Sequence, residues 1–314
     1  MSSLLRTGIK EKSKFWGKND MLEEETTVDW RGRSGSDNVE DRRGMGVKGM
    51  TGIGGGFALI LYIVFSLLGV DPGAILENRS DAAQPPGQNA PYTQQYKESP
   101  EEKEAREFVS VVFKDTEDVW TNIFQQNRIV YRKPTLVLYK GAVDSACGLG
   151  QSAMGPFYCS GDTRVYLDLN FYGDLRSKFQ APGDFAMAYV IAHEVGHHVQ
   201  NLLGTMEKVQ SLRSTMSEKQ FNQYLVRLEL QADYYAGVWT KHIQGKGYLE
   251  QGDIDEALKA ASAVGDDRLQ KQTKGHVTPD SFTHGTSEQR MRWFKLGYQN
   301  GTIQGGETFN ALNL

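Results

Sequence analysis

Cysteine is scarce in this 314-residue chain: two residues, enough for one bridge and too few for a disulfide-built miniprotein. An excess of either charge is lacking too. Lysine plus arginine number 35 against 39 acidic residues, a net charge of −4. No basic excess points to nucleic acid as a partner, and no acidic block forms a solvating tail. With 39% hydrophobic residues and only 9 prolines, the composition excludes collagen-like repeats and wholesale disorder. No internal repeat is present. Long apolar runs are missing with a single exception, so a polytopic membrane protein is excluded as well.

The exception is Thr51 to Val70, twenty residues without a charge. A bilayer core of about 30 Å takes roughly 20 apolar residues in a helix, so this run predicts one transmembrane helix and a lipid bilayer as partner. It starts too far into the chain, and lacks the cleavage site, to be a secretory signal peptide. The preceding flank carries Arg31, Arg33, Arg42, Arg43 and Lys48, whereas residues 71–90 carry only Arg79. The positive-inside rule then predicts a single-pass protein, N-terminus cytoplasmic and the remainder periplasmic or extracellular. Residues 1–50 are polar and without apolar periodicity, which predicts a disordered cytoplasmic segment. Residues 71–100, with Pro72, Pro85, Pro86, Pro91 and Pro100 among Gln and Asn, predict an extended linker.

From residue 101 to 314 the pattern is that of a helix-rich α+β domain. Phe108, Val112, Val119, Trp120, Ile123 and Phe124 recur at helical spacing. Residues 134–139 and 164–171 predict strands on either side of a glycine-rich loop. A helix is expected from Phe185 to about Leu203, closed by Gly204, and another from the Ser217/Gln220 capping box to about Gln244. Asp253 to Val264 and Ser287 to Asn300 predict two more.

The chemistry centres on His193-Glu194-Val195-Gly196-His197. Residues four apart share a helix face, so both imidazoles can reach one metal ion while Glu194 serves as general base. In a chain with six histidines, such a motif arises by accident in roughly one case in a hundred. Buried on a largely apolar helix without a partner, these polar groups would be costly; zinc supplies the partner. Catalytic zinc sites take a third protein ligand. Glu229 and Asp233, four apart on the next long helix, can complete the site, with Glu229 as the ligand and Asp233 as the acceptor for the far nitrogen of a ligand imidazole. His198 competes but sits off the His193/His197 face. A metzincin extension is absent, because Gln200 and Leu203 occupy its positions. His284, in a loop before the last helix, is the candidate donor to the oxyanion of peptide hydrolysis. Arg290 is expected to orient that loop or pair with Asp233. His242 and His276 read as surface residues.

These features lie within longer stretches: RGRSGSDNVEDRR at 31–43, SACGLGQSAMGPFYCSGD at 145–162, GDFAMAYVIAHEVGHHVQNLLG at 183–204, RLELQADYYAGVW at 227–239, GDDRLQ at 265–270 and DSFTHGTSEQRMRWF at 280–294. On them the chain resembles the bacterial YpfJ-like family of neutral zinc metallopeptidases, single-pass proteins with a gluzincin-like site. The resemblance covers nearly everything from Trp30 onward. It implies His193, His197 and Glu229 as zinc ligands, Glu194 as base, and a role for the His284 segment. The family pattern also places cysteines where this chain has Tyr234 and about Gly306, so a tail tether is expected to be missing. In gluzincin-like sites a strand edge pairs with extended substrate beside the metal; Tyr166, Leu167 and Asp168 on the 164–171 strand are the candidate edge. Cys147 and Cys159 match no zinc ribbon, and a domain outside the cytoplasm predicts a disulfide between them.

The expectation is therefore a zincin-like, membrane-anchored zinc metallopeptidase acting on a peptide or protein substrate in the cell envelope, with one Zn²⁺ per chain. The alternative is a metal-stabilised envelope scaffold with little or no turnover, which has no need of Glu194.

Overall fold

The computed structural model describes residues 28–45 and 96–314. The expected membrane helix, 51–70, lies outside the described residues, as do 1–27 and most of the expected linker. Among the described residues no helix is long and apolar enough to cross a membrane.

A mixed sheet forms one layer. Its strands are β1 (Val39–Asp41), β2 (Thr135–Tyr139), β5 (Phe157–Cys159) and β6 (Arg164–Asp168), in the order β1-β2-β6-β5. The first two contacts are parallel and β5 runs antiparallel to β6. Between β2 and β5 the glycine-rich stretch folds into a separate hairpin, β3 (Ala142–Ser145) and β4 (Gly148–Gln151).

Helices make up the rest. The longest two are α1 (Pro100–Gln126) and α5 (Glu218–Gly245). Each begins at the capping box its sequence carries, Ser99/Glu102 and Ser217/Gln220, where reciprocal bonds satisfy two otherwise orphaned N–H groups. Helix α2 (Phe171–Ser177) follows β6, and α3 (Asp184–Leu202) ends at Gly204 in the left-handed region, as the sequence predicts. Short α4 (Thr205–Ser211) leads to α5, then come α6 (Asp253–Ala263), α7 (Asp266–Lys274) and α8 (Ser287–Asn300). Helix α3 is buried from Asp184 to Gln200 on every face, because α5, α6, α1 and β5 all pack around it. The helix-rich α+β expectation holds.

The expectation of disorder over residues 1–50 is corrected for 28–45, which belong to the fold. Val28 and Trp30 enter the core, Trp30 meeting Phe108 edge to face at 5.8 Å. β1 registers Val39 on Leu136, Glu40 on Val137 and Asp41 on Leu138. Ser36 and Asn38 both donate to the buried carboxylate of Glu117. The arginines that suggested a cytoplasmic flank are all used inside this unit: Arg31 with Glu104, Arg33 with Asp115, Arg42 with Glu40, and buried Arg43 with Asp41 and Glu98. Order here comes from long-range pairing, which leaves no periodicity in the local sequence.

Candidate metal centre

Two helices must approach closely for the site to exist. Where α3 crosses α5, a Cβ on Gly196 would lie 2.9 Å from the carbonyl oxygen and 3.1 Å from Cα of Ala232. The glycine inside the HEVGH run therefore lets the backbones meet, bringing His193 and His197 opposite Glu229 and Asp233. Gly237 and Gly297 do the same for α5 and α8, each lying where a Cβ would strike the other helix's backbone. That second approach carries Arg290 to the site.

Nε2 of His193 stands 3.2 Å from one carboxylate oxygen of Glu229, and Nε2 of His197 stands 3.4 Å from the other. Ligand atoms about 2.0–2.1 Å from a tetrahedral zinc are themselves about 3.3 Å apart, and both of these separations match that spacing. The far nitrogens are fixed. His193 Nδ1 donates to Asp233 at 2.8 Å, and His197 Nδ1 donates to the amide oxygen of Gln200 at 2.9 Å. Those partners select the tautomer that leaves both Nε2 lone pairs for the metal.

Each partner is itself held. The Asp233 carboxylate receives Arg290 in a fork, Nε at 2.8 Å and Nη2 at 3.0 Å, together with the Tyr189 hydroxyl. Gln200 donates to the Leu228 carbonyl and to Gln231, whose own amide donates to the Gly306 carbonyl at 2.7 Å. The carboxylates dominate the electrostatics. Burial disfavours the His193 imidazolium, but Asp233 and Glu229 outweigh it and push the group up to about 9. A metal at Nε2 displaces that proton. Burial would raise Asp233 and Glu229, yet the cations beside them hold both below the usual carboxylate range. Glu194 faces the opposite balance: burial raises it.

Glu194 and His284 line the same cavity as the three candidate ligands, a cleft of about 400 Å³. Most of its wall is apolar, including Met154, Phe157, Phe171, Phe179, Met206 and Leu228. The loop bearing His284 is anchored by Asp266 at the start of α7, which accepts the backbone N–H groups of Thr283, His284 and Gly285. The same carboxylate lies 3.2 Å from His284 Nδ1. Burial lowers the His284 imidazole, and Asp266 and Glu229 overcome this to raise it.

The structure thus brings together His193, Glu194, His197, Glu229, Asp233, His284 and Arg290. It does not bring the expected substrate edge. Tyr166, Leu167 and Asp168 are buried on β6, which lies inside the sheet between β2 and β5. Asp168 accepts N–H groups from Gly141 and Asn170 and holds turns. Strand order depends on which distant segments pair, and among the described residues the sheet ends at β1 on one side and at β5, paired only with β6, on the other. Phe157 and Tyr158 of β5 line the cleft.

Cys147 and Cys159 form the expected disulfide, Cα to Cα 5.8 Å, tying the hairpin to β5. His198 is no ligand: Tyr158 and the Arg132 carbonyl bind its two nitrogens, and burial holds it neutral, down to about 4. His242, expected at the surface, is half-buried and bonds the Gly301 carbonyl. Tyr234 and Gly306 are neighbours, a Cβ on Gly306 falling 3.0 Å from the Tyr234 ring. Bonds from Arg227 to the Ala311 carbonyl and from Gln231 to the Gly306 carbonyl hold the tail. Tyr189, Gln200 and Asp266 escaped the sequence reading. Tyr189 and Gln200 sit one turn before His193 and one turn after His197, a helical spacing that could have flagged them.

The family model described as "Putative neutral zinc metallopeptidase" matches residues 28–309. "Uncharacterized protein YpfJ" of Escherichia coli (strain K12) is 47% identical over 289 residues, covering 89% of this chain and 98% of that protein. "Uncharacterized protein Rv2575" of Mycobacterium tuberculosis (strain ATCC 25618 / H37Rv) is 44% identical over 195 residues, 59% of this chain and 65% of its own length. No solved structure matches.

Proposed function

The chain belongs to the neutral zinc metallopeptidase family, whose cofactor is zinc, and on that premise we propose that it hydrolyses peptide bonds as a membrane-associated, extracytoplasmic enzyme. The observation that carries this reading is the pairing of three converging donors, His193, His197 and Glu229, with a further buried carboxylate, Glu194, that lines the cleft. Zinc, when bound, polarises the scissile carbonyl and lowers the pKa of water to about 7. Glu194 takes the proton of the attacking water and delivers it to the leaving amine. His284, oriented by Asp266, donates a hydrogen bond to the oxyanion as it develops. The edge strand β5 accepts an extended peptide through backbone hydrogen bonds, and the apolar wall favours a large hydrophobic side chain near the cut.

Two features support the location. The uncharged run 51–70 gives a hold on lipid, and the Cys147–Cys159 bridge suits an oxidising compartment. A metal-stabilised scaffold would leave Glu194 buried beside the ligands with no role. The test is a broad peptide mixture, with cut sites read by mass spectrometry. Zinc-loaded protein should cut beside apolar residues, lose activity on chelation and regain it with zinc. Fully zinc-loaded protein that cuts nothing in the mixture would overturn the proposal.

A further inference from the structure

The described segments on either side of the uncharged run are parts of one folded unit, and this constrains how the run can meet a membrane. β1 precedes it; β2, the central partner of β1, follows it. Three paired residues of parallel sheet cannot form across a bilayer core about 30 Å thick. β1 is not a loose attachment. Val28 and Trp30 are in the core, and the Val28 N–H reaches the carboxylate of Asp184 at the start of α3. Glu117, buried in α1, takes hydrogen bonds from Ser36 and Asn38. Removing residues 28–45 to the other side would leave those carboxylates buried without these donors.

The points of departure and return also coincide. Buried Arg43, two residues before the end of the first described segment, pairs with Glu98 at 2.7 Å and lies 5.0 Å from the ring of Tyr96, the first residue of the second. The first described segment therefore ends close to where the second begins. Only one stretch between them could cross: residues 71–95 carry Asp71, Glu77, Arg79 and Asp81 with three prolines between 85 and 91. One crossing puts its two ends on opposite sides, whereas the fold needs them side by side. The arginines that would argue for a cytoplasmic flank are committed to carboxylates of the domain, so their distribution reports the fold rather than the topology.

We infer that residues 28–45 lie on the same side of the membrane as the metallopeptidase domain. This rests on the proposed membrane association, and it sets aside the single-pass arrangement, in which residues 28–45 and the domain would face opposite sides.

The experiment uses the full chain in cells of the host. A reporter active only outside the cytoplasm is fused ahead of Val28 in one version and after Leu314 in another, and membranes are washed with carbonate. The expected result is a membrane-retained protein whose two reporters give the same reading. Opposite readings from retained protein would overturn the inference while leaving membrane association intact. Both reporters inactive would uphold it and remove the extracytoplasmic location. Protein wholly in the wash would remove membrane association, and the inference with it. An independent arm needs no fusion. The pair Arg31→Cys and Glu104→Cys, the first exposed and the second half-buried, is joined with a short bis-maleimide in intact membranes, and the chain is then opened at a protease site inserted between residues 82 and 90. Fragments that stay linked on a denaturing gel support the inference; fragments that separate contradict it.

Discussion

Replacing Gly196 with alanine should damage zinc binding more than it damages the fold. The added Cβ would stand 2.9 Å from the Ala232 carbonyl oxygen, and ordinary contact begins near 3.4 Å, so α3 and α5 must separate by about half an ångström. Overpacking of this kind costs about 1–3 kcal/mol. Alanine returns about 0.8–1.0 kcal/mol through its better helix propensity, leaving a net loss of at most about 2 kcal/mol. The same separation acts directly on the 3.2 and 3.4 Å distances from the imidazoles to Glu229, which lie on the two helices being forced apart. Ligand sets tolerate displacements of a few tenths of an ångström, so zinc affinity should fall by about 10-fold or more. Chelator competition measures the affinity, and denaturant unfolding of the metal-free protein measures the stability. Gly245→Ala is the control: nothing lies within 4 Å of its Cβ position, and the change should stabilise by about 0.4–1 kcal/mol. Gly196→Ala with undiminished zinc affinity would refute the claim that this helix crossing sets the ligand geometry.

His284→Ala should keep zinc near wild-type content and KM nearly unchanged, while kcat falls about 10²- to 10³-fold; zinc loss would instead make His284 a ligand. Replacing Cys147 and Cys159 together with serine should cost about 3 kcal/mol in unfolding experiments and leave zinc stoichiometry alone, since the bridge touches no ligand. An unchanged midpoint in oxidising buffer would contradict it. Burial raises Asp253 from 3.8 to about 6, so its folded state holds a proton more tightly than its unfolded state. Its contribution is therefore lost as pH rises from about 4 to 6, at most about 3 kcal/mol. Asp253→Asn, which keeps an acceptor for the Glu250 N–H, should stabilise the protein at pH 7.5 and lose that advantage by pH 4. An equal effect at both values would show that the carboxyl is not perturbed.

Much of the site was legible because its determinants are local. The capping box at Ser217, the left-handed Gly204 and the i, i+4 spacings of His193/His197 and Glu229/Asp233 all act within a helix. What the sequence hid was long-range pairing. β1 reads as a polar, arginine-rich tail because its order is supplied by Leu136 to Leu138 and by carboxylates of α1. β6 reads like an edge because alternation shows a strand but not its neighbours, and β5, at three residues, is too short to announce itself. Asp266 stood inside a recognised stretch, GDDRLQ, with no local sign that it would hold the His284 loop.

The central claim is that His193, His197 and Glu229 bind the metal while Glu194 moves the proton. The most direct measurement is zinc stoichiometry and peptide cleavage, side by side, for wild type, Glu229→Ala and Glu194→Gln. The account predicts one zinc per chain and cleavage for wild type, markedly weakened zinc binding for Glu229→Ala, and full zinc with cleavage lost for Glu194→Gln. Stoichiometric, tightly held zinc in Glu229→Ala, or undiminished cleavage by Glu194→Gln, would contradict it.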